Sequence, residues 1–454
     1  MTTQVLEQAK ALRGQGRWAE SAAVLKPIVA AQPTNWSAVY YYAMALLESG
    51  QPALAKGHFQ RMIAAGKHRA EANYMLARCC MEMSEASEAR QYFQVAHDLR
   101  PTPMTLRSLS NIDWMEGDLD RFRDRLRGAR GPLSVFAYGL WIESEDYGAA
   151  EAAWQALAQD YRTSAEALTL RAQHLRQTGD RRGSLDAARQ AQLSEPYDAG
   201  VIDAVAAGCL MCGDGQGALE AIAPLRQSQP DNQHWIAHET TALRLLGDLR
   251  FEHLVDMDRH VRVYDLPVPY GYKSLPEFNA ALLQDLNTHY PFARHPLNQS
   301  LRGGSQTAQD LLAMEGRAVR AYIQALKGPI AAYLQDIGTA PGHPLTGRNS
   351  GGFRIRGCWS VRLKAGGHHV NHVHPEGWIS SAYYVSVPET ELSRAGWIKF
   401  GEPPFETDPA LSPLKWVQPK PGMLVLFPSY LWHGTEPIGQ GATRVTAPFD
   451  VVPA

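Results

Sequence analysis

Residues 372–376 read His372-Val373-His374-Pro375-Glu376; His433 follows His372 by 61 positions, and Arg444 stands 11 positions further on. On an extended segment, side chains at i and i+2 point the same way. His372 with His374, or His374 with Glu376, can therefore grip one metal ion, and His433 closes the set. Two imidazoles with a carboxylate, or three imidazoles, gathered on one face leave the opposite positions open, which is the arrangement non-haem Fe(II) requires to take up further ligands. Spacing alone leaves Glu376 and His372 as rival third ligands, although a proline between two ligands is unusual for a regular strand.

The run His433-Gly434-Thr435-Glu436-Pro437 leads through a glycine-rich turn to Arg444-Val445-Thr446. The planar fork of Arg444 suits a terminal carboxylate in a bidentate pair, and Thr446, two residues on, can add a hydroxyl to the same oxygens. Ser381-Ala382-Tyr383-Tyr384 and Phe427-Pro428, the latter leading to His433, complete an ordered series of motifs. With them the chain resembles the 2-oxoglutarate/Fe(II) oxygenase superfamily, in the branch marked by H-x-H-P, S-[GA]-x-Y-Y, F-P-x-x-x-x-H and R-x-[ST]. The resemblance covers roughly residues 265 to 454 and includes Gly303-Gly304-Ser305-Gln306-Thr307, similar to the family's G-x-Q-T element.

That resemblance implies Fe(II) held by His372, His374 and His433, with Glu376 outside the ligand set. It implies 2-oxoglutarate as cosubstrate on Arg444 and Thr446, and O2 as oxidant. Tyr383 shares a strand face with Ser381 and is a third candidate for the cosubstrate contact, core packing being its alternative fate. The implied reaction converts 2-oxoglutarate to succinate and CO2 while a prime substrate is hydroxylated, with no catalytic residue beyond the metal ligands. The competing reading of His-x-His is a cupin-like barrel that binds another metal or none.

Short strands separated by Gly and Pro surround these residues. Phe353 to Leu363, Ile379 to Val387, Met423 to Phe427 and Arg444 to Val452 predict an antiparallel double-stranded β-helix, or jelly roll. Helices expected at about 277–288 and 306–336 buttress it.

The first half of the chain is periodic. Gly16, Gly50, Ser84, Gly117, Gly179, Gly213 and Gly247 recur at intervals of 34, with one of 33 and one of 62 that hides a degenerate repeat around Asp146-Tyr147. Ala9, Ala43, Ala77, Ala172 and Ala206 lie seven positions before the turn residue, where small side chains let two helices approach closely. Such a phase predicts an α-solenoid of about seven helix pairs over residues 1–262. It resembles the tetratricopeptide repeat, with Gly16-Arg17-Trp18-Ala19-Glu20-Ser21-Ala22 a good local match. The domains expected are thus 1–262, repeats, and 263–454, the strand domain, joined through the Pro-rich segment 263–276.

With 44 basic and 46 acidic residues the net charge is −2, so no electrostatic case exists for nucleic acid or an anionic membrane. No apolar run reaches the length of a membrane span, and a cytoplasmic protein is expected. The five cysteines fit that compartment: Cys79, Cys80, Cys209 and Cys212 fall on repeat helices and Cys358 on a strand, all as structural residues. A repeat solenoid offers a concave surface for a peptide or protein segment, so the expected substrate is a peptidyl side chain. Two other readings remain at this stage: a protein-interaction scaffold with an inactive barrel, and an oxygenase of a small metabolite with the repeats serving to recruit or to form a homodimer.

Overall fold

The computed structural model describes residues 2–389 and 393–454. Two compact units divide the chain, one ending at Gly128 and the other spanning Ala129–Ala454.

The first unit is helical. Thr2–Gly14, Trp18–Ala31, Trp36–Glu48, Pro52–Ala64, Arg69–Glu82, Ala86–Leu99, Pro103–Glu116 and Leu119–Gly128 follow one another as hairpins. Phe59, Met62, Ala43 and Leu76 are fully or almost fully buried between them. The periodic turn residues have the backbone conformation that the spacing anticipates, with Gly16, Gly50 and Gly117 at φ of 71°, 78° and 83°. Glycine adopts this left-handed conformation without steric cost. Ser84, at φ 61°, is the exception in this unit.

The second unit continues the hairpins with Pro132–Glu143, Tyr147–Ala156, Ala165–Gln177, Arg181–Ser194, Ala199–Met211, Gly215–Ser228 and Gln233–Leu246. Gly179 and Gly213 again have positive φ. Each is followed by an aspartate whose side chain caps the next helix: Asp180 accepts from Gly183 N at 2.9 Å and Asp214 from Gly217 N at 2.7 Å.

The strands follow: β1 (Arg262–Asp265), β2 (Leu301–Gln306), β3 (Phe353–Cys358), β4 (Val361–His369), β5 (Ile379–Ser386), β6 (Ile398–Phe400), β7 (Lys415–Val417), β8 (Met423–Pro428), β9 (His433–Thr435), β10 (Arg444–Thr446) and β11 (Phe449–Pro453). One sheet runs β1-β8-β5-β10-β4-β2, with β11 joining β5 to β3, and a second runs β7-β6-β9. Their pairings are antiparallel. Helix Leu275–Asn287 matches the first expected buttress. The second departs from expectation: Leu301–Gln306 is strand, and helix begins only at Arg317, stopping at Ala325 before a new one, Lys327–Ile337. Pro329 explains the break, because its ring would clash with the carbonyl four residues earlier. Phe278, Tyr322 and Tyr333 from these helices share one core with Leu424, Phe427 and Phe449 of the strands.

Within the second unit the repeat helices and the strands share one interior. Ile236 lies in the same core as the strands. Thr241 accepts from Trp432 Nε1 at 2.9 Å, and Arg244 donates to the carbonyls of Gly401 and Ser412 at 2.8 and 2.9 Å.

Candidate metal and cosubstrate site

Beyond the end of β4 the backbone of His372 bridges that of His433 in both directions, at 2.9 and 3.0 Å. This sets the first and distal histidines side by side although 61 residues separate them. Gly434 makes the close approach possible, since a Cβ there would lie 2.3 Å from Asn371 Oδ1. His374 is placed by its own N–H, which donates to the Ser429 carbonyl at 3.1 Å.

The three imidazoles converge through one type of nitrogen. His372 Nδ1 donates to the Val370 carbonyl and His433 Nδ1 to that of Leu431, each at 2.9 Å. His374 Nδ1 lies 2.6 and 2.8 Å from the two carboxylate oxygens of Asp450. The Nε2 atoms of His372 and His374 are 3.3 Å apart, and the potential ligand atoms of all three residues lie within 4.8 Å of one another. Burial, and then the neighbouring His374, push the His372 pKa down to about 3; burial, and then His372 and His374, hold His433 well below the ordinary imidazole range. Both rings are therefore neutral, the form that donates a lone pair to a metal. Each outer nitrogen is anchored, and the inner ones face one another, with Ser300 Oγ 3.2 Å from that of His372. Such a donor set fits a divalent ion of borderline hardness such as Fe(II).

Arg444, on β10, is 2% exposed. Its Nη1 donates to the Gly396 carbonyl at 2.7 Å, its Nε is buried with no hydrogen-bond partner, and among the described residues no carboxylate pairs with it. A buried guanidinium in that condition calls for an anion. It shares a cavity of about 810 Å³ with the three histidines, Thr446 and Tyr384. The guanidinium is thus electrostatically suited to a carboxylate, and the cavity has room for one.

Of the six residues proposed from sequence, His372, His374, His433, Arg444 and Thr446 line this cavity. Tyr383 does not, and this corrects the expectation for it. Its hydroxyl donates to Asn279 Oδ1 at 2.6 Å and its ring packs on Tyr322, under the buttressing helices. The neighbouring Tyr384 faces Arg444 instead, with the guanidinium 5.7 Å from its ring centre. Glu376 is exposed and forms an ion pair with Arg356, away from the imidazoles. Sequence reasoning missed Asp450, which also accepts from Ser380 Oγ at 2.8 Å, and Ser300, whose hydroxyl lies 3.2 Å from His372 Nε2. No motif marks either of them.

A second cluster lies on the repeat helices. Asp203 Oδ1 is 2.5 Å from His234 Nε2 and 2.8 Å from His238 Nε2. Here the Nε2 atoms are engaged with the carboxylate, Asp203 Oδ2 faces Arg176 at 4.0 Å, and His238 Nδ1 is buried without a partner. Among the described residues no hydrogen bond anchors His238 Nδ1, and the Asp203 carboxylate ties its own helix to that of the two histidines.

Residues 357–450 match the protein-family model described as "Putative 2OG-Fe(II) oxygenase". Residues 6–66 and 46–103 match two models described as tetratricopeptide repeat. A search of curated proteins gave no match. Among solved structures, a prolyl-4-hydroxylase of Pseudomonas putida is similar at 16% identity over 43% of this chain and 94% of that one, with a TM-score of 0.30. Yeast Tom70 is similar at 12% identity, covering 52% of this chain and 53% of that one, TM-score 0.40, so the chain spans about half the length of that protein. A tetratricopeptide repeat protein of Parabacteroides merdae is similar at 12% identity over 54% and 87%, TM-score 0.34. The chain thus joins N-terminal segments that match tetratricopeptide-repeat models to a C-terminal segment that matches the model described as "Putative 2OG-Fe(II) oxygenase".

Proposed function

We propose that the protein is a 2-oxoglutarate- and Fe(II)-dependent dioxygenase that hydroxylates a side chain of a peptide or protein recruited by its repeats, residues 1–262 serving recruitment and 263–454 catalysis. One observation carries this reading: three anchored imidazoles with converging Nε2 atoms share a cavity with a buried arginine that, among the described residues, has no carboxylate partner.

His372, His374 and His433 would hold Fe(II), which supplies O2 activation driven by oxidation of 2-oxoglutarate to succinate and CO2. Asp450 keeps the proton on His374 Nδ1, fixing the tautomer and ring orientation. Arg444, tethered to the Gly396 carbonyl, would take the far carboxylate of the cosubstrate, with Thr446 donating beside it. No general acid or base is required of the chain. Its task is to orient the reactants and exclude water, and burial of His433, Arg444 and Thr446 serves that. The antiparallel sheets are what a jelly roll requires, and the metal would sit at its mouth.

Purified protein supplied with Fe(II), O2 and 2-oxoglutarate should release succinate slowly even without prime substrate, and chelation should stop it. Absence of succinate under these conditions, with metal bound, would favour the inactive-scaffold reading.

A further inference from the structure

The cavity that holds the imidazoles has a second wall, built by the repeat helices. Ile142, Glu143, Glu145, Tyr147, Gln173 and Gln177 line it together with residues of the strands. Gln173 and Gln177 stand four apart on helix Ala165–Gln177 and so share a face. On the strand side, Asn298, Gln299 and Gln306 line the same space. Among the described residues none of these five side-chain amides has a hydrogen-bond partner within the protein. Each offers a donor and an acceptor together, the complement of a peptide group.

Charge narrows the ligand further. Glu145 is paired with Arg302 at 2.6 Å, Glu376 with Arg356, and Asp450 with His374. Glu143 has a partner of its own. Once Arg444 is assigned to the cosubstrate, the outer cavity has, among the described residues, no unpaired Lys or Arg for an anionic metabolite.

Glu145 occupies a telling position. In the repeats that follow, a left-handed Gly precedes a capping Asp, as in Gly179-Asp180 and Gly213-Asp214. Glu145-Asp146 keeps the pattern, Asp146 accepting from Ala149 N at 3.1 Å, and Glu145 stands 34 residues before Gly179 with φ 61°. A glutamate strains this position where glycine would not. Its side chain reaches Arg302 on β2, whose other nitrogen donates to the carbonyls of Gln299 and Leu301. The ion pair is a strut between the two walls.

We infer that the outer cavity is a groove for an uncharged, extended polypeptide segment, read by Gln173 and Gln177 from the repeats, with Glu145 and Arg302 as positioning residues that set its width. This rests on the oxygenase reading for its purpose. Its test is binding without turnover, so either can fail alone. Full-length protein is applied to an array of immobilised random-sequence dodecapeptides, with melting temperatures of all variants as the check on folding. Wild type should retain a set of uncharged peptides. The Gln173→Ala/Gln177→Ala variant should lose about tenfold in signal, as expected for two hydrogen bonds. Arg302→Glu should weaken the same spots while its melting temperature stays at the wild-type value, and adding Glu145→Arg should restore them; a loss of binding that only follows a loss of folding would mark the pair as structural. The inference is overturned if wild type binds no peptide, if it binds only charged ones, or if the glutamine variant keeps the wild-type pattern.

Discussion

Two clusters of imidazoles, one between the strands and one on the repeat helices, each bring three ligand-type side chains within 4.8 Å, yet they are chemically opposite. At His372, His374 and His433 the outer nitrogens are held by carbonyls and a carboxylate and the inner ones point into a cavity. At His234 and His238 the converging nitrogens are already bonded to Asp203. Proximity of donors does not make a metal site. The hydrogen bond on the far side of each ring decides which nitrogen remains available.

The largest expected effect separates the clusters outright. His433→Ala should abolish binding of one Fe(II) or surrogate ion per chain, while His234→Ala should leave metal content at the wild-type value. Metal analysis after anaerobic loading decides this. Equal losses in the two variants would erase the distinction.

Buried imidazoles without any metal role sharpen it. His260 has its pKa pushed down to about 4 by burial and then by His343, and His295 is pushed down to about 4 by burial and then by Arg302. The unfolded chain titrates these near 6.5, so between about pH 6.5 and 4 it binds more protons than the folded one. Their contribution to stability is complete above that window and is lost as pH falls through it, on the order of 3 kcal/mol per residue at the acid end. Denaturant titrations across the window should show the fall, and it should be shallower in His260→Gln.

Smaller again is the effect of the anchors. Asp450→Asn should weaken metal binding by roughly 10- to 100-fold, as losing a ligand's outer hydrogen bond does. Asp203→Asn should lower the melting temperature and leave metal affinity alone. Competitive titration against a chelator measures the first and a thermal scan the second.

What could be read in the sequence follows from how local each signal is. The 34-residue phase was legible because a left-handed turn favours glycine at every recurrence. It faded between Gly117 and Gly179, where Glu145 stands in the turn 28 residues after Gly117. The histidines were legible because the series His372, His374, His433 and Arg444 is rare. The parity argument behind their convergence was only approximate, as His374 lies outside a regular strand. Tyr383 was misplaced because β5 is buried on both faces, so alternation cannot say which tyrosine meets the cavity. Asp450 carries no pattern; only the pairing of β11 with β5 brings it to His374.

The central claim, that the anchored imidazoles and the arginine without a carboxylate partner among the described residues form one site, is tested most directly by anaerobic calorimetric titration of 2-oxoglutarate into Fe(II)-loaded wild type and Arg444→Ala. The account predicts binding to wild type and a loss of about 2–5 kcal/mol in the variant, roughly thirtyfold to several-thousandfold in affinity, with metal content unchanged. Equal affinity in the two proteins, or no metal-dependent binding in wild type, would contradict it.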